Sequence, residues 1–231
     1  MRAYVGQTRS RKLIADLASR GIGECFTRGT SYWPPRRTPW FYDNGAFSDW
    51  HAGRPFDAAA FESDLDRIRE ASGYQPDFIV CPDVVAGGRE SLAFSLSWLP
   101  SLRSRCPGQR LYLAVQNGLE PDDVPPATFQ GVFVGGTRDW KLDNAQRWIA
   151  WAHARALPCH IGRIGTGQRV LWARLIGADS FDSSLPLWGA NNLRIFYECL
   201  FGAGPMRRYR RGDDEGDAFL RAGRQTMLRI G

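Results

Sequence analysis

Residues 159–182 read CHIGRIGTGQRVLWARLIGADSFD and contain one strand–helix–strand unit. The apolar run Cys159–Ile164 predicts a strand, Gln168–Ile176 carries apolar residues at helical spacing, and Asp179–Asp182 predicts a second strand. Because a helix that joins two strands usually places them parallel in one sheet, this unit predicts a parallel α/β fold.

The same alternation continues outward from this unit along the chain. Further strands are predicted at Ala3–Gly6, Gly23–Phe26, Trp40–Asp43, Asp77–Cys81, Leu111–Gln116 and Val132–Gly135. Further helices are predicted at Arg9–Arg20, Asp57–Ser72, Arg89–Arg105, Leu142–Arg155 and Ala190–Phe201. Eight strands that alternate with helices favour a (β/α)8 TIM-type barrel. A doubly wound open sheet is the alternative, since periodicity does not separate the two.

The length of the chain limits this barrel. Its 231 residues lie near the short end for the fold, so we expect some helices to be missing or reduced. The proline-containing stretch Gly29–Pro39 predicts an ordered loop. We expect residues 1–204 to form the barrel catalytic domain and residues 205–231 to form a short basic C-terminal tail or helix on or near it.

The charge of the chain points to a polyanionic partner. The formal net charge is +6, and only Lys12 and Lys141 among the 30 basic residues are lysines. Arginine binds phosphate through planar, bidentate contacts, although a GC-rich coding sequence is an alternative cause of the bias. The predicted nucleic-acid-binding residues are Arg36, Arg37, Arg207, Arg208, Arg210 and Arg211. For the tail, the alternative is a solvated patch partly neutralised by the acidic residues that follow it.

The cysteines and histidines suggest neither a metal site nor a disulfide framework. The five cysteines are scattered without a CxxC pair, and the three histidines lack ligand spacing. His160, on a strand, is expected to be structural. No signal peptide or long apolar run is recognisable, so the sequence predicts a cytoplasmic protein without a membrane partner.

Polar residues and glycines follow the predicted strands. They are Asp43, Asp83, Gln116, Gly135, Gly136 and Asp182. In a barrel, catalytic groups lie at the carboxyl ends of the strands, so we expect these residues to share one rim. Local roles are the alternatives: an Asn-Gly hairpin turn after Asp43, helix caps for Asp83 and Asp182, a loop bond for Gln116, and a tight turn at the diglycine.

Such a rim suits glycosyl transfer to or from a nucleobase. One carboxylate can attack an anomeric carbon to form a covalent ester, while another moves a proton to the leaving group and from the incoming group. A third carboxylate and a carboxamide can bind the donor and acceptor edges of a purine, and glycines allow close approach of the backbone.

The residues also resemble a known family, the tRNA-guanine transglycosylases. The segment Gly165–Asp182 resembles their nucleophile segment, in which a G-x-G-T step and a helix precede G-x-D-x-F-D at the same spacing. Shorter segments also resemble the family. Asp43–Phe47 resembles its D-S-G-G-F segment, and Val115–Gly118 resembles its V-Q-G-G. Val134–Gly136 resembles its diglycine, and Asp83 lies where the family has an aspartate that binds the base. They follow the family's order and extend the resemblance over roughly residues 40–186.

The resemblance implies roles for these residues. Asp182 would be the nucleophile at C1′ and Asp43 the general acid/base. The implied substrate-binding residues are Asp83, Gln116, Gly135, Gly136, Phe47 and Asn44. No cofactor is expected, because exchange of one base for another is nearly isoenergetic.

Departures from the family suggest which branch the chain resembles. The tRNA enzymes carry a C-x-C-x-x-C…H zinc site, whereas Cys199 stands alone after Asp182, so no zinc is expected. A short, zinc-free, Arg-rich chain resembles the branch that inserts a 7-deazaguanine such as preQ0 into DNA. Many of those proteins are viral and protect a genome from restriction, which would place this chain in a host cytoplasm. The alternatives are a tRNA-guanine transglycosylase, a hydrolytic glycosylase and a nucleic-acid-binding barrel without catalysis.

Overall fold

The computed structural model describes residues 1–29, 38–71 and 74–202, and its eight strands close into a parallel barrel in which the first strand pairs with the last. The strands are β1 Arg2–Gly6, β2 Gly23–Thr27, β3 Trp40–Asp43, β4 Ile79–Val80, β5 Leu111–Val115, β6 Gly131–Val134, β7 Cys159–Ile161 and β8 Ser180–Ser183. The helices are α1 Arg11–Ser19, α2 Ala46–His51, α3 Ala58–Glu70, α4 Gly88–Arg105, α5 Arg138–His153, α6 Gly167–Leu175 and α7 Ala190–Phe201. The predicted (β/α)8 barrel is confirmed, and the open sheet is wrong.

Alternating side chains on the strands produce two cores. On β3, Phe41 joins the cluster inside the barrel, while Trp40 and Tyr42 belong to the outer cluster under the helices. Large rings inside the barrel face glycines on neighbouring strands: a Cβ on Gly131 would lie 2.3 Å from the Tyr112 ring. The interior is therefore a packed core, so space for a substrate lies at the rim.

Several boundaries differ from those predicted. Strand β4 covers Ile79–Val80 instead of Asp77–Cys81, and α5 begins at Arg138 instead of Leu142. Between β5 and β6 the chain forms only a 3₁₀ helix, Pro121–Asp123, which confirms that at least one helix is reduced. Proline has no backbone N–H to donate, and Pro125 and Pro126 follow closely, so a longer helix is disfavoured.

Other predictions fall outside the described residues. These are the loop positions Arg36 and Arg37, the arginines of the C-terminal tract (Arg207, Arg208, Arg210 and Arg211), and the boundary at residue 204. None of the helices in the described ranges is long and apolar enough to cross a membrane.

Candidate functional site

The polar residues predicted from the strand ends lie at one rim of the barrel. Asp43 is the last residue of β3, and Asp182 lies within β8. Asp83 follows β4, Gln116 follows β5, and the diglycine follows β6. Parallel strands bring all of these ends to the same face, as the sequence predicts.

A hydrogen-bonded network joins the ends of β3, β4 and β5. Asn44 Nδ2 donates to Asp83 Oδ1 at 2.7 Å, and Gln116 Nε2 donates to Asp83 Oδ2 at 2.5 Å. Asn44 also donates to the Cys81 carbonyl at 2.6 Å. Burial raises the pKa of Asp83 to about 7, although the two amide donors oppose this shift. The carboxyl therefore changes protonation state near neutral pH.

Of the local roles that the sequence offered as alternatives, the one for Asp83 is wrong and the one for Gln116 is confirmed. Helix α4 begins after Gly87 without a side-chain cap, so the interpretation of Asp83 as its cap is wrong. Gln116 Oε1 does accept from the Ala86 N–H at 3.0 Å, which confirms a bond to loop backbone. The amide nevertheless uses its other end for Asp83, so it links the loop to the network.

The turn after β3 orients Asp43. One Asp43 oxygen accepts from the Gly45 N–H at 2.7 Å, and Asn44 Oδ1 accepts from the Ala46 N–H at 2.7 Å. Gly45 has a φ of 76°, which suits glycine, and α2 begins directly after it. The hairpin interpretation is wrong, because β3 runs parallel to both neighbours and a helix follows.

The surroundings of Asp43 change its proton affinity. The pKa of Asp43 is raised to about 6, mainly because its carboxyl is desolvated and also because the charge of Asp182 lies nearby. The Gly45 N–H and the guanidinium groups of Arg163 and Arg28 oppose the shift. A carboxyl with this pKa can both donate and accept a proton near neutral pH, as general acid/base catalysis requires.

Asp182 is held through one of its two oxygens. Oδ1 accepts from His160 Nε2 at 3.0 Å and from the Arg163 backbone N–H at 3.0 Å. Within the described ranges Oδ2 accepts no hydrogen bond, and the side chain is 14% exposed. The next helical turn starts at Ser184 without a side-chain cap, so the interpretation of Asp182 as a helix cap is wrong.

His160 contacts Asp182, which the sequence interpretation missed. Its ring is fully buried, with Nδ1 2.9 Å from Ser180 Oγ, and it stacks on Phe133 at 4.8 Å between centroids. Burial lowers the pKa of His160, so the ring is neutral. The signal was present in the alternation of β8: Ser180 and Asp182 are two residues apart and therefore face the same side as the paired position on β7.

Arg163 lies at the centre of the rim, although the sequence placed it inside a strand. Strand β7 ends at Ile161, and Arg163 adopts a φ of 58°. Its guanidinium carbon lies 3.6 Å from the centroid of the Phe47 ring, and Nη2 donates to the Gly136 carbonyl at 2.9 Å. Although Arg163 as a whole is exposed, desolvation of its guanidinium lowers its pKa, while the three rim carboxylates oppose that shift. Arg163 therefore supplies positive charge among three acidic groups.

A second cation, Lys141, lies beneath the rim on α5. It is buried, and its Nζ donates to the Gly162 carbonyl. The pKa of Lys141 is lowered to about 7, mainly by burial and also by the charge of Arg163. The predicted helix began one residue after Lys141, so the sequence interpretation did not place this lysine.

The diglycine after β6 lies where no larger residue fits. A Cβ on Gly135 would lie 2.6 Å from Gln116 Nε2. Gly136 has a φ of 73°, and its Cβ would lie 2.7 Å from Asn117 Oδ1 and from the Trp140 ring. The diglycine therefore forms the tight turn that the sequence offered as its local role. In addition, its backbone forms this part of the rim.

Aromatic rings on α2 border the site. Phe47 and Trp50 are 37% and 53% exposed, with 5.6 Å between ring centroids. His51 stacks nearly parallel to Phe47, at 5.9 Å. These three rings, the α2 ring cluster, give the rim an aromatic edge.

No metal centre is found in the part of the chain that the structure describes, because no three His, Cys, Asp or Glu side chains are grouped to hold an ion. Comparison with known proteins leaves the family open: no family model matches the chain, and neither does any curated protein.

Proposed function

We propose that this protein is a base-exchange transglycosylase that replaces guanine in DNA with a 7-deazaguanine base resembling preQ0. The observation that carries the proposal is that Asp43 and Asp182 lie at one rim, near enough for the charge of Asp182 to raise the pKa of Asp43. The Asp43 carboxyl has a raised pKa, and Oδ2 of Asp182 has no hydrogen-bond partner among the described residues. The order of the motifs resembles that of the guanine transglycosylases, and from this resemblance we propose guanine as the base that is exchanged.

In the first step, an oxygen of Asp182 would attack C1′ of the deoxyribose. A C1′–O ester bond forms as the bond from C1′ to N9 breaks, and the electron pair of that bond leaves with guanine. Asp43, protonated, gives its proton to the leaving base. Its pKa of about 6 leaves a usable protonated fraction near neutral pH.

In the second step, the incoming base would reverse these movements. Asp43, now ionised, takes the N9 proton of the 7-deazaguanine, and N9 attacks C1′. The ester to Asp182 breaks, and its electron pair returns to the carboxylate. One glycosidic bond is lost and one is formed, so the reaction needs no external energy source.

The network around Asp83 would select the base. Its carboxyl, fixed by Asn44 and Gln116, can pair with the N–H groups on the amide edge of guanine. The Arg163 guanidinium lies over one face of the Phe47 ring, so a base that stacked on that face would displace it. The Gly135–Gly136 backbone allows the ring system to approach closely.

The nucleic acid would enter as a single strand or with the target base flipped out, because a base inside a duplex cannot reach a barrel rim. The α2 ring cluster would stack on neighbouring bases. DNA is proposed ahead of tRNA on the resemblance of the sequence to the DNA-modifying branch, and the exchange experiment distinguishes the two.

Exchange of labelled guanine tests the proposal. Radiolabelled guanine is incubated with the protein and either single-stranded DNA or bulk tRNA. We expect label in DNA and none with Asp182→Ala. Label only in tRNA would assign the tRNA reaction, abasic DNA without incorporation would assign a hydrolytic glycosylase, and binding without either product would assign a non-catalytic barrel.

A further inference from the structure

A polar column runs from the barrel interior to Asp182. Ser180 Oγ lies 2.9 Å from His160 Nδ1, and His160 Nε2 lies 3.0 Å from Asp182 Oδ1. All three side chains face the same side of neighbouring strands β7 and β8. Aromatic rings of the interior cluster surround His160, so the column is a polar path through an otherwise apolar core.

The hydrogen-bonding capacities of these groups fix the direction of each bond. An ionised carboxylate only accepts, so the proton of the neutral His160 ring lies on Nε2 and is donated to Asp182. Nδ1 then carries a lone pair and accepts from the Ser180 hydroxyl. Ser180 thus selects the tautomer that can hold Asp182.

The ring itself has little freedom to turn. It is fully buried, stacks on Phe133 with 15° between planes, and lies 4.9 Å from the Phe41 ring. The donor at Nε2 is therefore fixed relative to β8. Together with the Arg163 backbone N–H it fixes Asp182 Oδ1 from two directions.

We propose that His160, oriented by Ser180, is a positioning residue that holds Asp182 Oδ1 so that Oδ2 is the oxygen that attacks the sugar. This inference rests on the proposed function, because it assumes that Asp182 is the nucleophile. Holding one oxygen removes rotation of the carboxylate and presents the other in a single direction. His160 touches neither base nor sugar in this account.

Two amide substitutions separate the donor from the ring. In His160→Gln, the side-chain amide reaches the place of Nε2 and can still donate to Asp182. In His160→Asn, the shorter amide reaches only the place of Nδ1, beside Ser180. Both variants put one neutral amide into the same buried space, so each is the matched control of the other. Thermal unfolding of both shows whether they are folded.

The measurement is the single-turnover rate at which a DNA oligonucleotide forms the covalent adduct, together with the dissociation constant for free guanine. A lost hydrogen bond to a charged group should slow adduct formation about ten- to hundredfold in His160→Asn. We expect His160→Gln to stay within about fivefold of the wild-type rate, and guanine affinity to change less than about twofold in both.

Ser180→Ala provides a second variant that keeps the ring. It should slow adduct formation less than His160→Asn, because the tautomer loses its support while the donor remains. Nitrogen-15 NMR gives a readout without activity: among the three histidines, one buried neutral ring should carry its proton on Nε2.

The outcomes are distinguishable from failure of the proposed function. Adduct formed by His160→Asn at the wild-type rate, or equal slowing in folded Gln and Asn variants, would overturn the positioning role while transglycosylation stands. If either variant does not fold, the positioning role is overturned by two results together: Ser180→Ala forms the adduct at the wild-type rate, and the NMR spectrum shows the proton of His160 on Nδ1 instead of Nε2. No adduct with wild-type protein would remove the proposed function, and this inference with it.

Discussion

Replacing Asp43 by Asn should make the protein more stable and inactive. Asp43 is half-buried at the rim, and desolvation of its carboxyl raises the pKa from 3.8 to about 6, so ionising it costs free energy in the folded state. Asparagine has the same shape and keeps an oxygen for the Gly45 N–H, which lies at 2.7 Å. The substitution therefore removes the charge and leaves the turn intact.

The size of the effect follows from linkage. A shift of about 2 pKa units, from 3.8 to about 6, corresponds to about 3 kcal/mol. Because the folded-state pKa is raised, the penalty is absent below pH 4, grows between pH 4 and pH 6, and is complete above that range. Solvent near the rim reduces it, so we expect Asp43→Asn to gain about 1–3 kcal/mol at pH 8 and almost nothing at pH 4.

Urea unfolding at several pH values measures this difference. Asp57→Asn is the control, because Asp57 is an exposed aspartate that also accepts a backbone N–H, from Ala60 at 3.0 Å, as the N-cap of α3, where asparagine caps about equally well. The control should change stability little at any pH. A variant of Asp43 that is no more stable than wild type at pH 8, or whose gain does not vary with pH, would refute the reasoning.

Three further predictions concern residues around the rim. The folded wild-type protein should become more stable as the pH rises from 7 to 10, because the pKa of Lys141 is lowered to about 7 in the folded state and only the unfolded chain keeps this lysine charged. Lys141→Met should abolish that gain, which urea unfolding of both proteins at several pH values measures. Gly136→Ala should lower stability and guanine affinity more than Gly177→Ala, because both have positive φ but only the Gly136 Cβ meets other atoms; calorimetry measures both. Trp50→Ala should weaken binding of single-stranded DNA by about 1–3 kcal/mol in fluorescence titrations, whereas Leu175→Ala, similarly exposed on α6, should not.

The barrel was predictable because its signals are local. Each strand is a short apolar run, each helix has its own periodicity, and the order of the two determines the parallel connections. Helix α2 was missed because it is a single short segment after Gly45 whose ring-bearing face stays exposed. Strand β4 was overestimated because the run Asp77–Cys81 looks extended, whereas ladder pairing defines only its centre.

The site was predictable to the extent that it lies at strand ends. Asp43 and Asp182 follow from strand register alone. Arg163 does not, because its position depends on a φ of 58° just after β7 and on a ring contributed by another loop. The alternation of β8 places Ser180 and Asp182 on one face, but their link to His160 also requires the pairing of β7 with β8, which the pattern of either strand alone does not provide.

The covalent intermediate tests the central claim most directly. Wild-type protein is mixed with a guanine-containing DNA oligonucleotide, quenched, and digested for peptide mass spectrometry, with Asp182→Asn treated in parallel. We expect a deoxyribosyl ester on Asp182 that is lost when 7-deazaguanine is added and is absent from the variant. An adduct on another residue, or none in protein that binds the oligonucleotide, would contradict it.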